Sequence, residues 1–263
     1  MSKIYLGGEN LNKKILFLIF CFCIIFCIVF SVSSDNGRFS WCTDPKTNGQ
    51  RPQKFEAKEL TDKYKSIYLG NENEKNIYLT FDVGYENGNV EKTLDTLKGQ
   101  NVKGAFFVLP HFINANPSLV ERMISEGHLV CNHSYSHKDM SKISDFKEFE
   151  KEIYDLEKLY KEKTGQDMAK YFRPPEGRFS ENTLSFANKL GYKTVFWSIA
   201  YADWDNNRQI APEKAKDLIV SRIHNGAVIL LHPTSETNAK MLNGLILELK
   251  EKGYSFLTLD EFR

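Results

Sequence analysis

Cysteine is sparse in this chain, and an excess of charge of either sign is missing. Of five cysteines among 263 residues, Cys21, Cys23 and Cys27 lie inside one apolar run and act there as small hydrophobes. No lipid-attachment signature precedes any of them. Only Cys42 and Cys131 remain, too few for a disulfide framework, although one bridge between them stays open in an oxidising compartment. Lys and Arg number 35 against 34 Asp and Glu, a net charge of +1. Nothing in that balance suggests a nucleic-acid binder, which would normally show a basic excess or a clustered basic face.

What is present begins with a segment set apart by composition. Lys13 and Lys14 precede an almost unbroken apolar run from Ile15 to Phe30, followed by the polar stretch Ser31 to Gly37. The run is at the lower limit for a bilayer span and slightly long for a signal peptide. Residues 1–34 therefore read as a signal peptide or, if uncleaved, a membrane anchor. Either outcome puts the two lysines inside and the remaining chain outside the cytoplasmic membrane. Residues 35–75, polar and irregular with Pro45 and Pro52, read as a stalk and lead-in. The rest, 76–263, is long enough to bury a sizeable core, and aromatics at 13% of the chain suit both packing and stacking against sugars.

Tyr78-Leu79-Thr80-Phe81-Asp82-Val83-Gly84 organises that body. Its period-2 alternation predicts a buried strand running into a glycine turn, with Asp82 at the strand's last position. Burying a carboxylate there is costly unless it is paired or used, but a turn or helix-cap aspartate fits this stretch equally well. Further strands are expected at Gly104–Val108, Leu129–Asn132, Tyr171–Phe172, Thr194–Ser198, Ala227–Leu231 and Ser255–Leu257. Helical spacings fall between them: Val90/Leu94/Leu97, Val120/Met123/Ile124, Phe146 to Tyr160 stopping at Gly165, Leu184/Ala187/Leu190 capped by Ser180, Pro212 to Ile223, and Met241 to Lys252. Seven short strands alternating with helices predict an α/β fold with a parallel sheet covered by helices. In such folds the chemistry lies beyond the carboxyl ends of the strands.

Polar residues gather at those ends. Asp82 follows the first strand, His133 and His137 the third, Arg173 the fourth, Asp203 and Trp204 the fifth, and His232 the sixth. Each has an ordinary reading by itself: a surface histidine pair, a solvated arginine in a Pro-Gly loop, a core histidine, a core tryptophan. Five strand ends carrying such residues argue for one pocket. Two imidazoles four residues apart suit zinc or another borderline divalent ion. Arg173 in Arg-Pro-Pro-Glu-Gly is placed to keep Asp82 ionised, and Asp203 beside His232 favours the protonated imidazole.

The ordered set Thr-Phe-Asp-Val-Gly, His-Ser-Tyr-Ser-His, Arg-Pro-Pro-Glu-Gly, Asp203-Trp204 and Leu230-Leu231-His232 resembles the polysaccharide deacetylase family, the NodB homology domain, across nearly all of residues 76–263. The resemblance implies a distorted (β/α)7 barrel that removes acetyl groups from cell-wall polysaccharides with a divalent metal, commonly zinc. It implies Asp82 as general base, His133 and His137 as metal ligands, Arg173 holding Asp82, Asp203 tuning His232, and His232 as the acid that protonates the departing amine. Trp204, Glu176 and Tyr85 are the expected substrate contacts.

One position departs from the family pattern. Val83 stands where a second aspartate usually supplies a metal ligand, so the resemblance implies weak metal binding through the two histidines, and Val83→Asp should tighten it if the turn aims the new carboxylate inward. The branch that deacetylates muramic acid in peptidoglycan also departs here, and it resembles this chain at Tyr85-Glu86-Asn87, Gly127-His128, Val195 to Ser198 and Leu230 to Ser235. The expected substrate is therefore peptide-free muramic acid in peptidoglycan, on the way to the δ-lactam of spore cortex, with Arg173 as the nearest partner for the lactyl carboxylate and Glu176 opposing it. Rival readings are a deacetylase of N-acetylglucosamine, chitin oligomers or acetyl-xylan, and an inactive wall-binding pseudoenzyme suggested by Val83.

Overall fold

A computed structural model describes residues 37–262. The apolar run and its two lysines lie outside the described residues, within which no helix is long and apolar enough to cross a membrane. The central strand β2 spans Asn76–Val83. Alternation splits it as the sequence predicts. Ile77, Leu79, Phe81 and Val83 pack into the large cluster beneath the helices, whereas Tyr78 joins Ala105, Phe107, Cys131 and Val195 in the inner cluster. The strand runs one residue further than expected, so Asp82 is its penultimate residue.

In chain order the elements around it are β1 (Arg38–Ser40), α1 (Lys58–Lys63), α2 (Asn89–Gly99), β3 (Ala105–Val108), α3 (Pro110–Ala115), α4 (Pro117–Ser125), β4 (Leu129–Asn132), α5 (Phe146–Thr164), β5 (Ala169–Phe172), β6 (Arg178–Ser180), α6 (Glu181–Lys189), β7 (Lys193–Thr194), α7 (Pro212–Arg222), β8 (Ala227–Leu231), α8 (Glu236–Glu251) and β9 (Ser255–Phe256). One seven-stranded sheet has the order β7-β5-β4-β3-β2-β8, with β9 beside β2, and every pair in it is parallel. The sheet curls into a half-barrel. Local signals set the helix ends. Asp145 accepts from Glu148 N–H to start α5, which stops at left-handed Gly165, and Ser180 with Thr183 forms a capping box for α6. Helix α8 starts earlier than its apolar spacing suggests, at a cap made by Ser235.

From Gly37 on, the stretch read as a stalk packs into the same compact unit as the rest of the described residues. Strand β1 pairs antiparallel with β6, and Trp41 is buried against Phe196, ring centroids 4.3 Å apart and nearly parallel. Such a stacked pair contributes about 0.5–1.5 kcal/mol beyond its buried area. Trp41 Nε1 also donates to the Trp197 carbonyl at 2.9 Å. Phe39, Trp41, Phe55 and Tyr68 assemble this cluster at spacings with neither a helix nor a strand period, which is why the stretch reads as irregular.

The same lead-in explains the fifth strand. Only Lys193–Thr194 is regular, because Val195 bridges to Ile67 and Leu69 bridges to Ala227. Residues 67–69 thus span the gap between β7 and β8. The crossing is tight: a Cβ on Gly226, whose φ is +70°, would lie 2.5 Å from the Gly70 carbonyl carbon. Cys42 is exposed and Cys131 buried, and both are free thiols; no bridge joins them.

Candidate active site

Loops beyond β2, β4, β5 and β8 converge on a cavity of ≈ 720 Å³, lined by Asp82, His133, His137, Glu176, Trp204 and His232 among others. The parallel register that sets Asp82 opposite Phe107, and β8 beside β2, brings residues 150 positions apart to one mouth.

Arg173 lies beneath the cavity and is fully buried. Its guanidinium sits 4.2 Å from the Phe107 ring centroid. Nη1 donates to Asp82 Oδ1 at 2.7 Å, Nη2 to Thr80 Oγ1 at 2.8 Å and the Phe196 carbonyl at 3.3 Å, and Nε to the Val195 carbonyl at 3.1 Å. With its donors so engaged, Arg173 is not the partner for a substrate carboxylate that the sequence suggested. Burial works to raise the Asp82 pKa, but the charge of Arg173 first, with that of His232, outweighs it and holds the carboxyl below its ordinary value. Asp82 is thus an ionised carboxylate.

His133 Nδ1 lies 2.9 Å from the Arg173 carbonyl. A carbonyl only accepts, so Nδ1 carries the proton and Nε2 keeps its lone pair, 3.6 Å from Asp82 Oδ2. Burial lowers the His133 pKa to about 4, against the opposing pull of Asp82. The His137 ring stands 5.1 Å from it, centroid to centroid, at 70°. Between them the loop is held by Asn132 Oδ1, which accepts from Ser134 N–H at 2.9 Å, and by Ser134 Oγ, which accepts from His137 N–H at 3.1 Å.

Across the cavity, His232 Nδ1 meets Asp203 Oδ1 at 2.7 Å. Asp203 Oδ2 accepts the His232 backbone N–H at 2.8 Å and Asn238 Nδ2 at 2.6 Å. Burial alone would lower the His232 pKa; the hydrogen bond and charge of Asp203, with Asp82 beyond, raise it above the ordinary value. Its Nε2 is the atom left to give a proton to a ligand.

The expected substrate contacts are placed unequally. Trp204 lines the cavity and is 65% exposed, so it is not a core aromatic. Glu176 also lines it, with left-handed φ of 56° and its carboxylate 3.0 Å from Arg178 Nε. Tyr85 is not among the lining residues; its hydroxyl accepts from Asn206 Nδ2 at 2.6 Å. Val83, 1% exposed, packs in the apolar layer on the face opposite Asp82, so Val83→Asp is not directed inward. Sequence reasoning missed Thr80, Asn238 and Glu152. Thr80 is legible only as the residue two before Asp82 on the same strand face, and nothing in the sequence marks the other two.

This arrangement defines a hydrolytic site, with an ionised carboxylate and a proton-bearing imidazole facing each other across a sugar-sized cavity. The chain belongs to the polysaccharide deacetylase family and is a hydrolase of that family. Residues 69–195 match the family described as polysaccharide deacetylase. The chain is 43% identical over 229 residues to the peptidoglycan-N-acetylmuramic acid deacetylase PdaA of Bacillus subtilis, covering 86% of each. The solved structure of PdaA, a family 4 carbohydrate esterase, superimposes with a TM-score of 0.82 at 41% identity, covering 86% of this chain and 97% of that one. The fold is accordingly the distorted (β/α)7 barrel. A peptidoglycan-N-acetylglucosamine deacetylase of Bacillus cereus is 32% identical over 202 residues, 75% of this chain and 72% of the relative. A family 4 pseudoenzyme from Bacillus anthracis has a TM-score of 0.69 at 27% identity, covering 75% and 68%.

Proposed function

We propose that this protein is an exported peptidoglycan N-deacetylase that hydrolyses the N-acetyl group of peptide-free muramic acid, the step that precedes δ-lactam formation in spore cortex. The observation that carries the chemistry is the opposition of Asp82 and His232, each with its own buried partner, across one cavity. Asp82 accepts the proton of the attacking water, and His232 Nε2 delivers one to the nitrogen as the carbon–nitrogen bond breaks. Acetate and a free amine result. Binding alone needs no such acid–base pair, which argues against the pseudoenzyme reading.

The donor set suits a divalent metal such as zinc, although among the described residues no group of three or more His, Cys, Asp and Glu is placed to hold one. His133 presents Nε2 unprotonated beside His137, and these two imidazoles would hold the ion, the remaining positions falling to water or substrate. Bound there, a metal would polarise the acetyl carbonyl and acidify water. Binding through two neutral ligands is expected to be weak.

Muramic acid is favoured over glucosamine by the greater identity to the muramic acid deacetylase than to the glucosamine one. One observation favours the second reading: among the described residues no Lys or Arg lines the cavity, and Glu176 does, which opposes a free lactyl carboxylate. Export rests on Lys13, Lys14 and the apolar run; the membrane is then a partner only if the segment stays uncleaved. The test is the rate of acetate release by the full-length protein from glycan strands stripped of stem peptides, from intact strands and from chitin oligomers. Stripped strands are expected to react fastest, and equal rates on all three would contradict the assignment.

A further inference from the structure

Glu152 is 8% exposed on helix α5, on the face that carries Phe149, Ile153 and Leu156 into the core. A carboxylate is a costly choice there unless its oxygens are engaged. They are, by the loop that carries the two imidazoles. Oε2 accepts the Ser136 backbone N–H at 2.8 Å, and both oxygens lie 2.9 Å from the Ser136 hydroxyl. Lys138 Nζ stands 3.2 Å from Oε1. A backbone N–H given to a carboxylate makes a bond about twice as strong as a neutral one.

We propose that Glu152 is a positioning residue for the two-imidazole site, tying residues 133–137 to α5 and thereby aiming His137 into the cavity. The proposal rests on the metal reading given above. The loop needs such an anchor because Ser134 and His137 have φ of 67° and 54°. That region is sparsely used by residues other than glycine and persists where the surroundings over-determine it. The bonds of Asn132 to Ser134 and of Ser134 to His137 lie within the loop and its own strand. Glu152 comes from a separate, long helix. His133 is fixed on its own by the Arg173 carbonyl, so loss of Glu152 displaces His137 and leaves His133 in place. This asymmetry separates aiming a ligand from general support of the fold.

The test titrates zinc chloride into the full-length protein in detergent micelles by calorimetry, alongside imidazole nitrogen NMR of the metal-free protein. Glu152→Ala is expected to weaken zinc binding by ~10–100-fold, the usual effect of losing a residue that orients a ligand, and to move the His137 signals but not those of His133. Glu152→Gln, whose amide oxygen still accepts from Ser136 N–H, should lie between Glu152→Ala and wild type, with Ser136→Ala showing a smaller loss. A cooperatively melting Glu152→Ala protein with wild-type zinc affinity and unmoved His137 signals overturns the proposal. Should that variant not fold, Glu152→Gln and Ser136→Ala decide by the same readings. Wild-type protein that takes no zinc removes the metal reading and this proposal together, whereas wild-type binding with unaffected variants removes this proposal alone.

Discussion

Asp203 holds His232 at two points: Oδ1 meets the ring Nδ1 at 2.7 Å and Oδ2 accepts the backbone N–H at 2.8 Å. The first contact raises the proton affinity of the imidazole, and the second fixes where the ring starts. Asn238, also on Oδ2 at 2.6 Å, keeps the carboxylate from rotating away.

The pH dependence follows from that grip. In the proposed reaction His232 is the acid and must be protonated; its folded pKa is raised, so activity is expected to be lost as pH rises through that raised value. Asp203→Asn removes the charge that opposes burial. The alkaline limb of kcat/KM should then move to lower pH, with turnover falling by up to about 100-fold. An unmoved limb would assign it to another group.

Asp82→Asn should lower turnover by at least ~100-fold, the scale for a lost general base. It should also destabilise the protein by about 3 kcal/mol or more, because Arg173 is left buried with no counter-charge. Urea unfolding measures the second effect. The depressed pKa of Asp82 means that its stabilisation is present above the ordinary carboxyl range and is lost as pH falls through the folded value. A variant as stable as wild type would show that Arg173 does not depend on Asp82.

Much of this was legible beforehand, and the exceptions share a cause. β2 shows because alternation is a local signal, and the site shows because parallel strands bring their carboxyl ends together once their order is known. The lead-in did not show, since the cluster of Trp41 and Tyr68 is completed by Phe179 and Phe196, residues more than a hundred positions away. The same holds for the fifth strand, which pairs with β5 on one side but meets Ile67 at Val195 on the other. Val83 was legible as a missing ligand; which face it occupies depends on the strand continuing one residue past its expected end.

Two histidines outside the site add to the acid sensitivity of the fold. His128 and His224 are both lowered to about 4, chiefly by burial, with Lys103 adding to it and Glu126 opposing it at the first. Among the described residues the Nε2 of each is buried with no hydrogen-bond partner, Glu126 Oε2 lying 3.9 Å from that of His128. Both are neutral in the fold and bind protons on unfolding below 6.5. Their contribution is therefore complete above that pH and is lost between 6.5 and about 4. Each gives a slope of up to about 1.4 kcal/mol per pH unit. His224→Phe should flatten the urea midpoint over that window, and an unchanged slope would contradict this account.

Val83→Asp puts a carboxylate into the apolar layer beneath the helices. It should cost several kcal/mol and leave zinc affinity unchanged, because strand alternation turns position 83 away from His133 and His137. Calorimetry showing tighter zinc binding would mean that the strand end bends to deliver the new ligand.

In the proposed reaction Asp82 and His232 act on the acetamide of muramic acid. Tandem mass spectrometry of stripped glycan strands, after incubation with wild-type protein and with Asp82→Asn, locates the lost acetyl on one sugar or the other. Loss at muramic acid is expected with wild type and next to none with the variant. Loss confined to glucosamine, or loss that survives in Asp82→Asn, would contradict it.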